Sequence, residues 1–518
     1  MTTRRVMRRC ALAVAASLLA GCSVGSEPEP SPGSRSGSES PSESPSEPTS
    51  EVSPSDSTGP TTARASTPAL SERTEPDLEL AMSTPVEDSV YPAVGGPDVD
   101  ALLYDLDLAW DPTELSLTGT STITFRAARD ANEFGLDFSP VLEVESLTLD
   151  GQKAAYTHRG KDLVVKAPIV TDDQHELVVS YAGEPGPVPA PTTRRDFSTV
   201  GFTVTDRGEV WTMQEPYGAY SWYPVNDQPA DKALYDISVT APEPWTGVAN
   251  GRLVGDTTED GRRTTEFQLD EPASSYLITL AIGDYAHAAQ TSKSGVTLDY
   301  WYPRGQPLVL DDLRAGAAAV DWIEARLGPY PFSSAGIVAT DSQSAMETQT
   351  MITIGNTEYA RSPQVIVHEL VHQWYGDQVS PADWSDVWLN EGMTMLMQAL
   401  WEADHDGAKT SATIAGWRAI DQDLRDEYGP PGAYDRAQFA GSNIYYLPAI
   451  MWNELRLELG DDQFFAIARS WLTAQDNRSV TRDAIYAHWE KETGLELSAF
   501  FDAWILGSAT PPPGVSAG

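Results

Sequence analysis

His368 and His372 stand four residues apart in HELVH, with Glu369 beside the first, and Glu391 follows after eighteen further residues. No other stretch constrains the chain as much. Residues four apart on a helix share a face, and two imidazoles on one face can meet one ion. Ser362 and Pro363 suit the cap and first position of that helix, and Gly376 suits its end. Val367, Leu370, Val371 and Trp374 recur at helical spacing. A catalytic zinc takes three protein ligands and keeps one position open, so Glu391, in WLNEG on a second helix, is the expected third ligand. Glu369 stands beside the ligands, where a general base must be to take a proton from water at the ion. With only seven His in the chain, a chance HExxH match is remote. A contrast lies within the same sequence. His175-Glu176-Leu177 begins alike, but Val179 fills the second His position and HELVVSY reads as a strand.

The flanks bound the setting. Residues 1–22 read as a targeting segment: Arg4, Arg5, Arg8 and Arg9 precede an apolar run too short to span a bilayer. The run ends Leu19-Ala20-Gly21-Cys22, which resembles the bacterial lipoprotein cleavage box. That resemblance implies cleavage before Cys22, a lipid on its sulfur and a place on the outer face of the cell membrane. Cys10 and Cys22 are the two cysteines, so the rest of the chain has none for a disulfide. Residues 23–84, rich in Ser, Pro and Glu, have little to bury and are expected to form a disordered tether. The net charge of −42 falls almost wholly beyond that stretch and argues against nucleic acid as a partner.

Residues 85–290 carry short segments rich in β-branched and aromatic residues between Gly, Pro and Asp turns, such as STITFRA, HELVVSY and SYLITLAIG. They predict an N-terminal antiparallel β domain, saddle- or sandwich-like. From 291 to 518 the pattern becomes helical, with spans at 392–402, 411–427, 443–458, 462–474 and 481–492, as in a thermolysin-like α+β catalytic domain. Trp374, Trp384 and Trp388 read as core, and Asp386 as a group able to orient a metal-binding His.

Three further stretches narrow the chemistry: QEPYGAYSWYPVNDQPADKA (214–233), SAMETQTM (344–351) on a strand-like segment, and NIYYLPAIMWNELR (443–456). With HELVHQWYGD and DVWLNEG, they make the chain resemble the aminopeptidase N family of zinc metallopeptidases over most of residues 85–510. WYPVNDQPADKA is similar to that family's PCxDxPxxKA stretch, SAMET to its GAMEN motif. The resemblance implies one Zn2+ per chain on His368, His372 and Glu391, with Glu369 as general base. It gives Glu347 the substrate's free α-amine, with Ala345 and Met346 beside it as substrate-binding positions. Counting back twelve from Asp227 gives Glu215 as the second amine-binding carboxylate. The family's YxxG pattern gives Tyr445 as the group that stabilises the oxyanion.

Ser344, Thr348 and Pro448 depart from the family's Gly, Asn and Gly. Pro448 is expected in a helix's first turn, where no N–H is needed. The resulting expectation is a monomeric, lipid-anchored zinc aminopeptidase acting on peptides with a free N-terminus. A thermolysin-type endopeptidase and a non-catalytic peptide-binding surface protein are the rivals. An endopeptidase gives the paired carboxylates Glu215 and Glu347 no reason to be there, and a non-catalytic binder gives none to the intact ligands and base.

Overall fold

Alternation builds the N-terminal half. Along Ser116–Ala127, Leu117, Ser121, Ile123, Phe125 and Ala127 point into the core while their neighbours do not. Gly119 keeps that phase because a Cβ there would strike the Tyr181 ring at 2.4 Å. The structure, a computed structural model, describes residues 66–515. The targeting segment 1–22, Cys22 and the first part of the tether lie outside the described residues.

Eight strands form the main sheet, in the order 252–259, 262–274, 232–242, 99–111, 116–127, 174–183, 142–149 and 152–153. HELVVSY lies in the strand Gln174–Gly183. A five-stranded sheet (246–249, 280–283, 210–213, 199–204, 188–189) and a three-stranded one (134–137, 162–165, 156–159) complete the β domain. One pair corrects the antiparallel expectation: Val99–Asp111 runs parallel to Lys232–Pro242. The long connection between them, which carries much of the domain, gives the chain room to return in the same direction.

The tether ends earlier than residue 84. Ser71 donates its N–H to the Leu253 carbonyl at 2.8 Å, on the sheet's outermost strand. Arg73 reaches Asp236 and Glu266, each at 2.8 Å. Leu78–Ala81 forms one 3-10 turn with Ala81 buried. An edge strand with free carbonyls and an acidic sheet face supply these partners.

The second half opens at Tyr285 rather than 291. Strands 285–291, 297–303, 335–339 and 351–354 form its sheet, in that order. Ala286 and Ala288 pack into the helical core, which draws the boundary back. The main helices are Ala315–Leu327, Pro363–His372, Trp388–His405, Thr410–Tyr428, Ser442–Leu459, Asp461–Ala474, Arg482–Thr493 and Ser498–Ile505. Trp374, Trp384 and Trp388 are all core. One apolar cluster fills the β domain and takes in Trp384, Phe439 and Ile444 of the second half, a second fills the helical domain, and Tyr445 packs against both.

Candidate active site

The histidine helix, Pro363–His372, begins at Pro363 as the sequence predicts. Ser362 holds the cap position, but its hydroxyl donates backward to the Tyr359 carbonyl at 2.6 Å and caps nothing. The chain then turns through Gly376, whose φ of +131° suits glycine, and enters the helix Trp388–His405 that carries Glu391.

These two helices bring the three expected ligands together. His368 Nε2 lies 3.4 Å from Glu391 Oε2, and His372 Nε2 lies 3.5 Å from the same oxygen. Donors about 2.0–2.1 Å from one tetrahedral ion lie about 3.4 Å apart. The far side of each ring fixes its tautomer. His368 Nδ1 faces Gln398 Oε1 at 3.1 Å, and Gln398 Nε2 donates to Glu402 at 2.9 Å. His372 Nδ1 faces the Tyr375 carbonyl at 3.0 Å. Both partners accept, so each Nδ1 turns an N–H to its partner and each Nε2 is aimed at the common point. Glu391 Oε2 is buried with no hydrogen-bond partner. The donor set and the orphaned oxygen fit a zinc ion.

Asp386 does not serve these rings. It pairs with Arg482 Nε at 2.8 Å and accepts the Arg482 backbone N–H at 2.9 Å. The orienting groups are Gln398, one turn beyond Thr394 on the glutamate helix, and a backbone carbonyl. A carbonyl leaves no trace in residue identity.

Around the three ligands stand more carboxylates than the local cations neutralise. Glu347, Glu369 and Glu391 are almost wholly buried, and Oε1 of both Glu215 and Glu347 is buried without a partner. Glu347, Glu369 and His372 form a second close group. Burial pushes the Glu369 carboxyl well up; His372 opposes this, and Glu347 and Glu391 add to it. Glu215 is raised by burial and then by Glu347 and Glu391. Glu347 is raised by burial against the pull of His372. Burial would raise Glu391 too, but the two imidazoles win and bring it down to about 2. Burial alone would lower His372, but Glu347 and Glu391 lift it well above its usual range. A pocket of this sign binds cations.

The β domain positions Glu215. Strand Val210–Met213 runs into it, and Gln214 is tied at 2.7 Å to the Ser275 carbonyl and at 2.9 Å to the Trp222 indole. Asp227 accepts the Gly218 N–H at 2.8 Å and the Ser275 hydroxyl at 2.7 Å. The twelve-residue spacing is therefore a loop closed by Asp227. Burial raises that carboxyl to about 6, and the Gly218 N–H offsets part of the rise.

The SAMET stretch is a turn held by one bridge, not a full strand. Met346 exchanges both backbone hydrogen bonds with Thr353, at 2.9 and 3.0 Å. Its side chain is buried in the β-domain core, whereas Ala345 keeps partial exposure. Gln373, next to His372, donates to the Glu347 carbonyl at 3.0 Å and so clamps this turn to the histidine helix. Thr348 is buried and its hydroxyl donates to the Met351 carbonyl.

Tyr445 lies on the helix Ser442–Leu459, its ring stacked 6.3 Å from that of His368. Pro448 is inside this helix, in its second turn rather than its first. The helix thus forgoes the bond a residue there would give Ile444. One cation was missed in the sequence. Arg194, from the loop after strand 188–189, places Nη1 3.4 Å from the Tyr445 hydroxyl.

Comparison with known proteins agrees with the geometry. The peptidase M1 N-terminal domain matches residues 101–277 and the peptidase family M1 domain matches residues 312–504. Mouse aminopeptidase B is 29% identical over 55% of this chain and 46% of its own length. Dog aminopeptidase N is 25% identical over 46% of this chain and 26% of its own. The chain thus spans less than half the length of these curated relatives. The structure of an M1 zinc metallopeptidase mutant from Deinococcus radiodurans bound to a Tyr-Ser-Ala substrate superposes with a TM-score of 0.71. It is 27% identical and covers 83% of this chain and 99% of that one.

Proposed function

Because the chain belongs to peptidase family M1, the aminopeptidase N family of zinc metallopeptidases, we propose that it removes single residues from peptide N-termini. His368, His372 and Glu391 would hold Zn2+, which when bound polarises the scissile carbonyl and acidifies water. Glu369 takes the proton from the attacking water and passes it to the nitrogen of the leaving amine as the C–N bond breaks. Tyr445 donates a hydrogen bond to the carbonyl oxygen as that atom gains charge. Glu215 and Glu347 accept N–H bonds from the substrate's α-ammonium. That contact sets the distance from the N-terminus to the bond that is cut.

One observation carries this reading. Glu215 and Glu347 each bury an oxygen that nothing in the protein satisfies, and an endopeptidase would have no cation to give them. Matched peptides with free and acetylated N-termini test it. Only the free peptide should be cut, one residue at a time; equal cleavage of both would sink the exopeptidase reading.

The protein's place is proposed on sequence grounds alone. The box ending at Cys22 supports lipid anchoring outside the cell membrane. Among the described residues no helix is long and apolar enough to cross a membrane. If the anchor is lipid, C22S moves the protein from the membrane fraction to the soluble one; an unchanged distribution refutes it.

A further inference from the structure

The loop that carries Arg194 is built to deliver one side chain. It leaves the β domain at strand Val188–Pro189 and returns in strand Thr199–Val204. Two bonds clip it to the segment just before the tyrosine helix. The Phe439 N–H donates to the Pro191 carbonyl at 2.9 Å, and the Thr192 hydroxyl donates to the Phe439 carbonyl at 2.7 Å. The Arg194 N–H closes the turn on Thr192 Oγ1 at 3.2 Å.

The guanidinium is then held on two sides. Nε and Nη2 both bind Asp196, Nε at 3.1 Å and Nη2 closer. The Phe197 ring lies 4.4 Å beneath the guanidinium carbon. Burial would raise the Asp196 carboxyl, but the Arg194 guanidinium brings it below its usual range. What remains is Nη1, aimed at the Tyr445 hydroxyl at 3.4 Å.

A phenol has one hydrogen to give and lone pairs to receive. Arg194 can only donate, so it occupies a lone pair of Tyr445 and cannot take its hydrogen. The hydroxyl hydrogen is left for a different acceptor. A cationic donor on the oxygen also polarises the O–H and makes it a better donor in turn.

We propose that Arg194, braced by Asp196, is a positioning residue that orients the Tyr445 hydroxyl so that its hydrogen faces the reacting carbonyl. The inference rests on the reading of Tyr445 as the oxyanion donor. It also makes the β domain contribute to the chemical step, beyond binding the amine through Glu215.

Steady-state kinetics of the zinc-loaded full chain test it, with R194Q, R194K, D196N, Y445F and R194Q/Y445F. The substrates are an aminoacyl p-nitroanilide, which has no carboxylate, and a dipeptide, which has one. R194Q should lower kcat about 10-fold on both substrates, with KM within about 2-fold. R194K should recover part of the loss. In the Y445F background R194Q should cost nothing further. If Y445F alone leaves kcat unchanged, the reading of Tyr445 has failed. If Y445F lowers kcat but the two losses multiply, Arg194 acts independently and the inference is overturned. A rise in KM for the dipeptide alone also overturns it, since Arg194 would then be a clamp for the substrate carboxylate. D196N carries the same cycle should R194Q not fold.

Discussion

A Cβ placed on Gly392 would fall 2.6 Å from the Cβ of Pro448 and 3.0 Å from its Cγ. The helix bearing Glu391 and the helix bearing Tyr445 therefore meet backbone to ring. Gly392 directly follows the third ligand, so a shift there moves a metal donor. G392A is expected to cost about 1–3 kcal/mol of stability and to reduce bound zinc. Adding P448G removes the obstructing ring and should restore both. Thermal melts and metal analysis of the single and double variants read the outcome; a stable, fully loaded G392A would refute the contact.

Glu369 is buried beside the ligands but outside the set that meets Glu391 Oε2. E369Q keeps the shape and loses the base. It should lower kcat by about 100- to 10,000-fold while zinc stays at one per chain. Full activity in E369Q would remove Glu369 from the mechanism.

Gln398 makes its effect felt through His368. Its Oε1 holds Nδ1 at 3.1 Å while its amide is pinned to Glu402. Q398L should weaken zinc binding by about 10- to 100-fold, measured by competition with a chelator of known affinity. Unchanged affinity would mean the ring is oriented by packing alone.

Lys232 is buried against backbone carbonyls, donating to Asp377 at 2.6 Å and Gln378 at 3.2 Å. Burial lowers its amine from 10.5 to about 7, with Asp377 opposing the fall. Between those values the unfolded chain binds the proton that the folded chain has released. Stability should therefore rise with pH across that window, by up to about 1.4 kcal/mol per unit. K232M has no such proton. Urea midpoints of the two proteins at pH 7, 8 and 9 should diverge in slope; parallel curves would exclude Lys232 as the source.

The shared face of His368 and His372 was legible because a four-residue helical spacing is a local property, and so were the strands whose apolar residues alternate. Glu215 and Glu347 became legible through resemblance, and the structure gives the physical reason: Asp227 closes the loop behind Glu215, and Gln373 clamps the turn of Glu347. Other features were hidden. Arg194 lies 251 positions from Tyr445, in a loop without periodicity. The Tyr375 carbonyl is backbone. The helix start was legible to within a residue, 443 against Ser442, and from either start Pro448 falls in the second turn, not the first. Ser71 and Arg73 dock through partners on distant strands, which composition cannot reveal.

The placement of Tyr445 against both apolar clusters has a consequence for timing. Arg194 and Glu215 precede the ligands in the chain, and Tyr445 follows all of them. As the chain is synthesised, Arg194 and Glu215 are made first and Tyr445 last. The cleft therefore has all of these side chains only once the helix Ser442–Leu459 has packed against the β domain.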